Sequence, residues 1–488
     1  MSLTLDFKIE KTILLCQENP VCHLTATNTG NSPLKVAALG ASPEIPVLHV
    51  TELKTGVETF QHQHRHGPEV GIPYTQIAAD KKLEYDFDLN SIAQLSLPTE
   101  YEISAILPFD MGKSRVESKS VKLKIIPVTP RSLSLVNVQG GWAAVVYGIS
   151  VNAASDPPQI VRHRFDIMTE GGVGDARPVA NVHLRAEPAL SAPPNSTVAH
   201  AHWIAWREEQ GLSFTHFDSV LGSLPTASWA CPQADFALVH PLATEPVTDP
   251  ARRPAGAALL WVGDPSRHIS AFQVINLSPD GKATPGASSN AGGPKPAWML
   301  SHAPSSGRRC LTFIRESEDG SSLFFQPWPQ QGAAVEPRLL AKWRGHCHGA
   351  GALMITDDSI RGATILRGAQ RDGAKLELIT WKISPKGEYA ERKRLTIPWA
   401  FQNRVTRAMT GVSPGGKTVA LIAGDDEKWQ FFDDEAGLQP VSPLIASARQ
   451  AVEIVFMSET DPVFIVGRVG QGFQTMLPNG DPLPHHAG

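Results

Sequence analysis

No apolar run in this sequence approaches the length of a membrane-crossing helix, and no block of basic residues could track a phosphate backbone. Membrane insertion and nucleic-acid binding are therefore both poor fits. Lys and Arg total 44 against 48 Asp and Glu, a net charge of −4 with both signs scattered along the 488 residues. Cysteine is scarce as well. Cys16, Cys22, Cys231, Cys310 and Cys347 are odd in number and mostly far apart, which fits reduced, largely buried thiols in a cytoplasmic protein rather than a disulfide framework. The catalytic signatures are missing too: no Gly-x-Ser-x-Gly elbow, Walker loop, dinucleotide Gly-x-Gly-x-x-Gly or His-Glu-x-x-His occurs. Helical periodicity is almost absent. Residues 1–10 alternate polar and apolar with acidic residues inside, as an opening strand does and a secretory leader does not.

What the chain does contain is turns. Its 40 Gly and 40 Pro fall between short apolar segments rich in Val, Ile, Leu, Phe and Trp, a globular β composition rather than a disordered one. The clearest unit is Arg407–Val412, the turn Ser413-Pro-Gly-Gly-Lys417, Thr418–Ile422, then Lys428–Phe432, the turn 433–437 and Gln439–Ile445. Four strands joined by tight turns make one meander sheet that cannot bury both faces alone, and such sheets repeated around a ring make a β-propeller.

Residues 1–127 read as a separate unit. Val21–Thr27 alternates with period two, Asn28-Thr-Gly-Asn-Ser32 supplies a turn, and Pro33-Leu-Lys-Val36 resumes. Leu83–Leu89, Leu97–Ile106 and Ser118–Ile126 continue the pattern of an antiparallel sandwich. The early strands, the Asn-Thr-Gly-Asn turn and Leu97-Pro-Thr-Glu-Tyr101 resemble those of bacterial immunoglobulin-like domains, of the fibronectin-like and intracellular proteinase-inhibitor-like kinds. The resemblance implies the fold; no inhibitory loop is matched. Pro127-Val-Thr-Pro130 suits a short stiff linker.

From there to residue 488 the strands group into units near 131–177, 178–232, 233–293, 294–343, 344–400, 406–446 and from 448 onward. Seven blades is the expected count, with six or eight left open because the strands between 168 and 212 can be phased in two ways. The last unit shows three strands, so Leu133–Val138 is expected to complete it by ring closure, and the Pro/Gly-rich stretch 279–296 reads as a long loop. The meander and its turns resemble the wider WD40-like propeller class. The Trp-Asp dipeptide and a recurrent Gly-His opener are absent, so that resemblance implies the fold and carries no functional residue. The expected fold is all-β: an immunoglobulin-like sandwich over 1–127 and a propeller over 128–488.

Histidine is the one residue type that invites a metal. His62, His64 and His66 alternate in Gln61-His-Gln-His-Arg-His66, and on a strand they would share one face about 7 Å apart, within reach of zinc, copper or nickel. Gly67-Pro68 follows at once, which favours an exposed loop instead. His202, His240 and His346 form a second set with His200, His302 and His348. Carotenoid-cleaving propeller enzymes hold iron by histidines from separate blades, but here the histidines fall at different heights relative to the following turns. The acidic turns at 357–358, 425–427 and 433–435 lack the alternating ligand spacing of a calcium loop. Two rigid β modules, balanced charge and no catalytic motif point to a non-catalytic scaffold or assembly subunit with protein partners and no cofactor. A metal-dependent enzyme with a histidine-lined channel, or a carbohydrate- or peptide-binding module, is the alternative.

Overall fold

A computed structural model of the chain contains 38 β-strands between Leu3 and Met476, with no α-helix among the described residues. The described residues are these strands and most of their turns; the longest stretches outside them are 62–72, 167–174, 192–201, 242–255 and 441–451, and shorter ones include 127–133 and 482–488. The expected linker at 127–130 lies in one of those stretches.

The first eleven strands form two sheets. β1 (Leu3–Ile9), β3 (Val21–Asn28) and β8 (Lys82–Asp88) make a three-stranded sheet in the order β1-β3-β8. The larger sheet has eight strands, along the path β2 (Ile13–Leu15), β11 (Val121–Ile126), β9 (Glu100–Phe109), β4 (Leu34–Ala37) and β7 (Tyr74–Ile77). β5 (Val47–Glu52) and β10 (Ser114–Glu117) also pair with β9, and β6 (Val57–Gln61) pairs with β5. Strict alternation explains the packing: in β1, Leu3, Leu5, Phe7 and Ile9 turn inward while the residues between them face water. They meet Leu48, Val50, Ile103, Ala105 and Leu123 of the larger sheet in one core. Each large side chain so buried contributes about 1.5–3 kcal/mol relative to exposure. The Asn28 turn is tied down by its own side chain, whose amide donates to the carbonyls of Ser32 (2.9 Å) and Ile77 (3.0 Å).

Seven meander sheets follow, six of four strands and a last of three. Their first strands are β12 (Ser134–Gly140), β16 (Ala189–Ser191), β20 (Asp235–Pro241), β24 (Trp298–His302), β28 (His346–Met354), β32 (Val405–Val412) and β36 (Val452–Phe456). Each of the first six lies against the first strand of the next sheet, which is the arrangement of a β-propeller with these strands innermost. β15 (Asp175–Asn181) ends the first sheet and β16 opens the second, which settles the phasing of 168–212.

The packing accounts for the unbroken apolar runs. In β33 (Thr418–Gly424), Ala420 and Ile422 pack with Ile365 and Leu378 of the fifth sheet, while Val419 and Leu421 pack with Phe456 and Phe464 of the seventh. A strand covered on both faces has no polar side to show. The same division appears in β21 (Gly256–Asp264), where Leu260 faces the second sheet and Leu259 the fourth. Tryptophans fill part of the space between sheets: Trp203, Trp343 and Trp381 sit in the inter-sheet clusters.

Two expectations are corrected. Residues 134–140 do not complete the last sheet; β12 is hydrogen-bonded to β13 (Ala143–Asn152) as the inner strand of its own sheet, leaving three strands in the seventh. The stretch 279–296 is not a long loop, because β23 (Ala283–Asn290) pairs with β22 (Ile269–Leu277). It is an edge strand, where Pro285 is tolerated, and the register shifts between Gln273 and Ile275 beside Gly286. Proline and glycine disguise this strand as a loop.

Glycine has a structural task in Gly345-His-Cys-His-Gly349. A Cβ on Gly349 would stand 2.3 Å from the Ala408 carbonyl oxygen, and one on Gly351 would stand 2.2 Å from that of Thr410. The inner strands β28 and β32 approach too closely for any side chain between them. Gly351→Ala should therefore cost about 2 kcal/mol by forcing the two sheets apart, read as a lower denaturation midpoint. An unchanged midpoint would show that the inner strands separate freely.

Candidate interaction surface

The histidines fall into three groups. His62, His64 and His66 lie outside the described residues. His202 opens β17 (His202–Arg207), the second strand of its sheet, opposite Phe217, and His240 lies near the end of β20 opposite Leu259. His346 opens β28, is exposed, and has Nδ1 4.0 Å from Glu316 Oε1. Inner strands of a propeller run in one direction, so His240 and His346 occupy opposite ends of theirs. His302 is buried and its Nε2 lies 2.8 Å from Thr312 Oγ1. Among the described residues, no three His, Cys, Asp or Glu side chains gather in a way that could hold a metal ion.

Other polar groups join sheet to sheet. The Arg315 guanidinium lies over the rings of Phe313 (4.9 Å) and Phe324 (5.2 Å) and donates to the carbonyls of Gly292 (3.0 Å) and Ala291. Burial lowers its pKa to about 10, so it stays charged at neutral pH. The Gln326 amide donates to Ser289 Oγ (2.7 Å) and the Asn290 carbonyl (2.9 Å), binding the fourth sheet to the edge strand of the third. Asp433, at one of the acidic turns, forms an ion pair with Lys417 (2.7 Å). Cys22, Cys310 and Cys347 are free thiols pushed up to about 12, chiefly by burial, which keeps them protonated and unreactive.

An accessible apolar feature is the β5–β6 hairpin of the sandwich. Its turn uses Gly56 at φ 71°, a conformation glycine adopts without strain, and the Gly56 N–H donates to the Glu52 carbonyl (2.8 Å). β6 pairs with β5 on one side and, among the described residues, with nothing on the other. Its first four residues are exposed on both faces. Leu53, Val57 and Phe60 are 40%, 54% and 63% exposed, half of the large apolar side chains that reach solvent among the described residues. Phe60 stacks on His49 (centroids 4.6 Å, planes 14° apart). His49 Nδ1 lies 3.1 Å from Glu117 Oε1, and its Nε2 lies 3.6 Å from Glu58 Oε2. The Ser104 hydroxyl also donates to Glu117; these two hydrogen bonds, Ser104's first, hold the Glu117 carboxyl below its usual range.

Sequence reasoning passed over this hairpin. The signal was present: Val47–Glu52 alternates, Thr55-Gly56 can turn, and Val57-Glu-Thr-Phe60 alternates again.

No protein-family profile matches the chain, and no curated protein matches it. Solved structures do. BBS1N, in a complex with ARL6DN, has a TM-score of 0.39 at 13% identity, over 74% of this chain and 95% of that one. The WD40 domain of SCAP from fission yeast has a TM-score of 0.39 at 11% identity, over 70% of this chain and 81% of that one. An alpha-L-arabinanase from Penicillium chrysogenum, complexed with arabinobiose, has a TM-score of 0.36 at 11% identity, over 72% and 97%. At these TM-scores and identities the matches carry no argument about fold or activity. The fold itself is carried by the seven sheets: the chain is an all-β protein with a propeller.

Proposed function

We propose that this protein is a non-catalytic interaction subunit, a cytoplasmic scaffold that holds protein partners through its propeller face and an N-terminal immunoglobulin-like sandwich. The observation that carries the reading is the β5–β6 hairpin, where Leu53, Val57 and Phe60 are exposed on a projecting two-stranded ribbon. Apolar side chains gathered on a projecting edge cost solubility and are retained where a partner covers them. The rigid sheets behind the hairpin reduce the ordering cost of binding.

The test uses the full chain as bait in native lysate, beside the same chain carrying Phe60→Glu. A stoichiometric partner should be captured by the natural chain and fall at least about tenfold with the variant, since a charge in place of the exposed aromatic ring removes an anchor. Absence of any stoichiometric partner on the natural chain would overturn the reading.

A further inference from the structure

We propose that the end of the sandwich opposite the β5–β6 turn is a second docking surface, which takes an acidic segment of a partner protein carrying an aliphatic side chain. The two surfaces lie at opposite ends of β9: the Leu53 N–H donates to the Glu100 carbonyl (2.9 Å), whereas the turn 110–113 follows Phe109. Three turns meet at this far end, 29–33 after β3, 78–81 between β7 and β8, and 110–113 between β9 and β10. Main-chain hydrogen bonds tie them together. The Asp110 N–H donates to the Lys35 carbonyl (2.9 Å), the Asp80 N–H to the Asn28 carbonyl (3.0 Å), and the Asn28 N–H to the Lys81 carbonyl (3.0 Å). The buried Asn28 amide adds its bonds to Ser32 and Ile77, so the platform is set before anything binds.

This end carries strain that the fold does not use. Asp80 (φ 58°), Asp110 (φ 51°) and Met111 (φ 56°) are left-handed, three of the four non-glycine residues so placed among the described residues. Met111 is 58% exposed, so its strained position secures no apolar burial. Lys35, Lys81, Lys82 and Lys113 share the same end, and all four are exposed. Among the described residues, none of these ammonium groups enters an ion pair or a hydrogen bond, whereas Lys8, Lys11 and Lys124 elsewhere on the sandwich are each paired with a carboxylate.

The mixture of charges selects the occupant. Asp80 and Asp110 stand in the same turns as Lys81 and Lys113, so a uniformly negative headgroup layer or phosphate backbone would meet repulsion beside each attraction. A lone methionine also buries too little apolar area to hold a protein at a membrane. A polypeptide can set its carboxylates against the lysines and turn its N–H groups to the two aspartates. Met111, unbranched and adaptable, then meets an aliphatic side chain. Lys35 belongs to the larger sheet and Lys82 to the smaller, and packed sheets lie about 10 Å apart, within the span of one short extended segment. On a chain of net charge −4, unpaired cations gathered at one end steer an acidic partner to that end.

Fluorescence anisotropy of the purified full chain with two labelled synthetic peptides tests this, one alternating Glu with Leu and one with Ser in place of Leu. The Glu-Leu peptide should bind, more tightly than the Glu-Ser peptide, and added salt should weaken it. Lys81→Glu with Lys113→Glu should weaken binding at least about tenfold. Lys119→Glu with Lys122→Glu makes the same change of charge between β10 and β11 and on β11, away from these turns, and should leave binding within about twofold. Met111→Gly suits the left-handed position, so it should hold or raise the melting midpoint while weakening binding about threefold or more. A residue with a merely structural role would not lose binding while keeping stability. No binding of the Glu-Leu peptide, equal binding of the Glu-Ser peptide, or equal loss from the two lysine pairs would each overturn the inference. Binding instead to vesicles of phosphatidylserine and phosphatidylcholine would overturn it as well. Phe60→Glu should leave peptide binding unchanged, so failure here and failure of lysate capture at the hairpin are separate results.

Discussion

Replacing Trp381 with alanine should destabilise the fourth and fifth sheets by about 4 kcal/mol, within the range for removing a buried tryptophan. Trp381 is 1% exposed and packs among Ile314, Leu323, Trp343 and Ile379, where one blade meets the next. Its indole Nε1 donates to Thr364 Oγ1 (3.0 Å), so the polar atom of a large ring is satisfied inside an apolar wedge. The ring lies across Gly362, its partner in the neighbouring strand, where an added Cβ would stand 2.2 Å from Cζ2. Alanine would leave a cavity that the flanking sheets cannot close, because their main chains are held by ladders on both sides. Trp381→Phe should cost less, about 1–2 kcal/mol, keeping most of the volume and losing the hydrogen bond to Thr364. Hydrogen exchange of the amides in β29 (Ile360–Arg367) and β30 (Leu376–Ile383) reads the loss locally. Unchanged protection there after Trp381→Ala would mean that the blades do not depend on the ring between them.

Acid should weaken the first blade through one residue. His163 is buried in β14 (Gln159–Asp166), two positions along from Val161, which packs into the core of the sandwich. Burial, and secondarily the charge of Arg162, lowers its pKa from 6.5 to about 3. The folded chain therefore holds this histidine neutral where the unfolded chain would take up a proton. The stability it leaves intact is fully present above pH 6.5 and is lost progressively as the pH falls towards 3. The slope approaches 1.4 kcal/mol per pH unit, a loss of about 3 kcal/mol by pH 4. His163→Phe removes the titrating group and should flatten that part of the stability–pH curve, read from urea unfolding at pH 7, 5.5 and 4. Parallel curves for the two chains would show that His163 is protonated equally in both states. The loss falls at the contact between sandwich and propeller, so acid should loosen that junction first.

The legible parts of the fold were those that repeat. Thr418–Ile422 reads as a strand of a four-stranded meander sheet, and the structure places it in one as β33. β1 and β3 read as half-buried, and their alternation is that of the three-stranded sheet. Strands with weak patterns were harder. Ala283-Thr-Pro-Gly-Ala-Ser-Ser-Asn290 has the composition of a loop and becomes a strand because β22 offers it an edge. Ring closure could not be read because it depends on which strands lie side by side, a long-range matter that local alternation does not encode. The candidate surface was missed for a similar reason. Whether Val57 and Phe60 are core or exposed depends on how far one sheet extends past the other, and no spacing within the hairpin reports that.

Because the described strands of the seven later sheets find their ladder partners within their own sheets, no ladder crosses from one blade to the next among the described residues. Neighbours meet through apolar clusters confined to adjacent pairs, with side-chain hydrogen bonds to main-chain carbonyls and a close main-chain approach of β28 to β32. An ancestral chain could thus gain or lose a whole blade by duplication or deletion without shifting the register of any strand that remained. Only the curvature between neighbours would need to adjust, and blade number in this architecture is open to drift in a way that strand number within a blade is not.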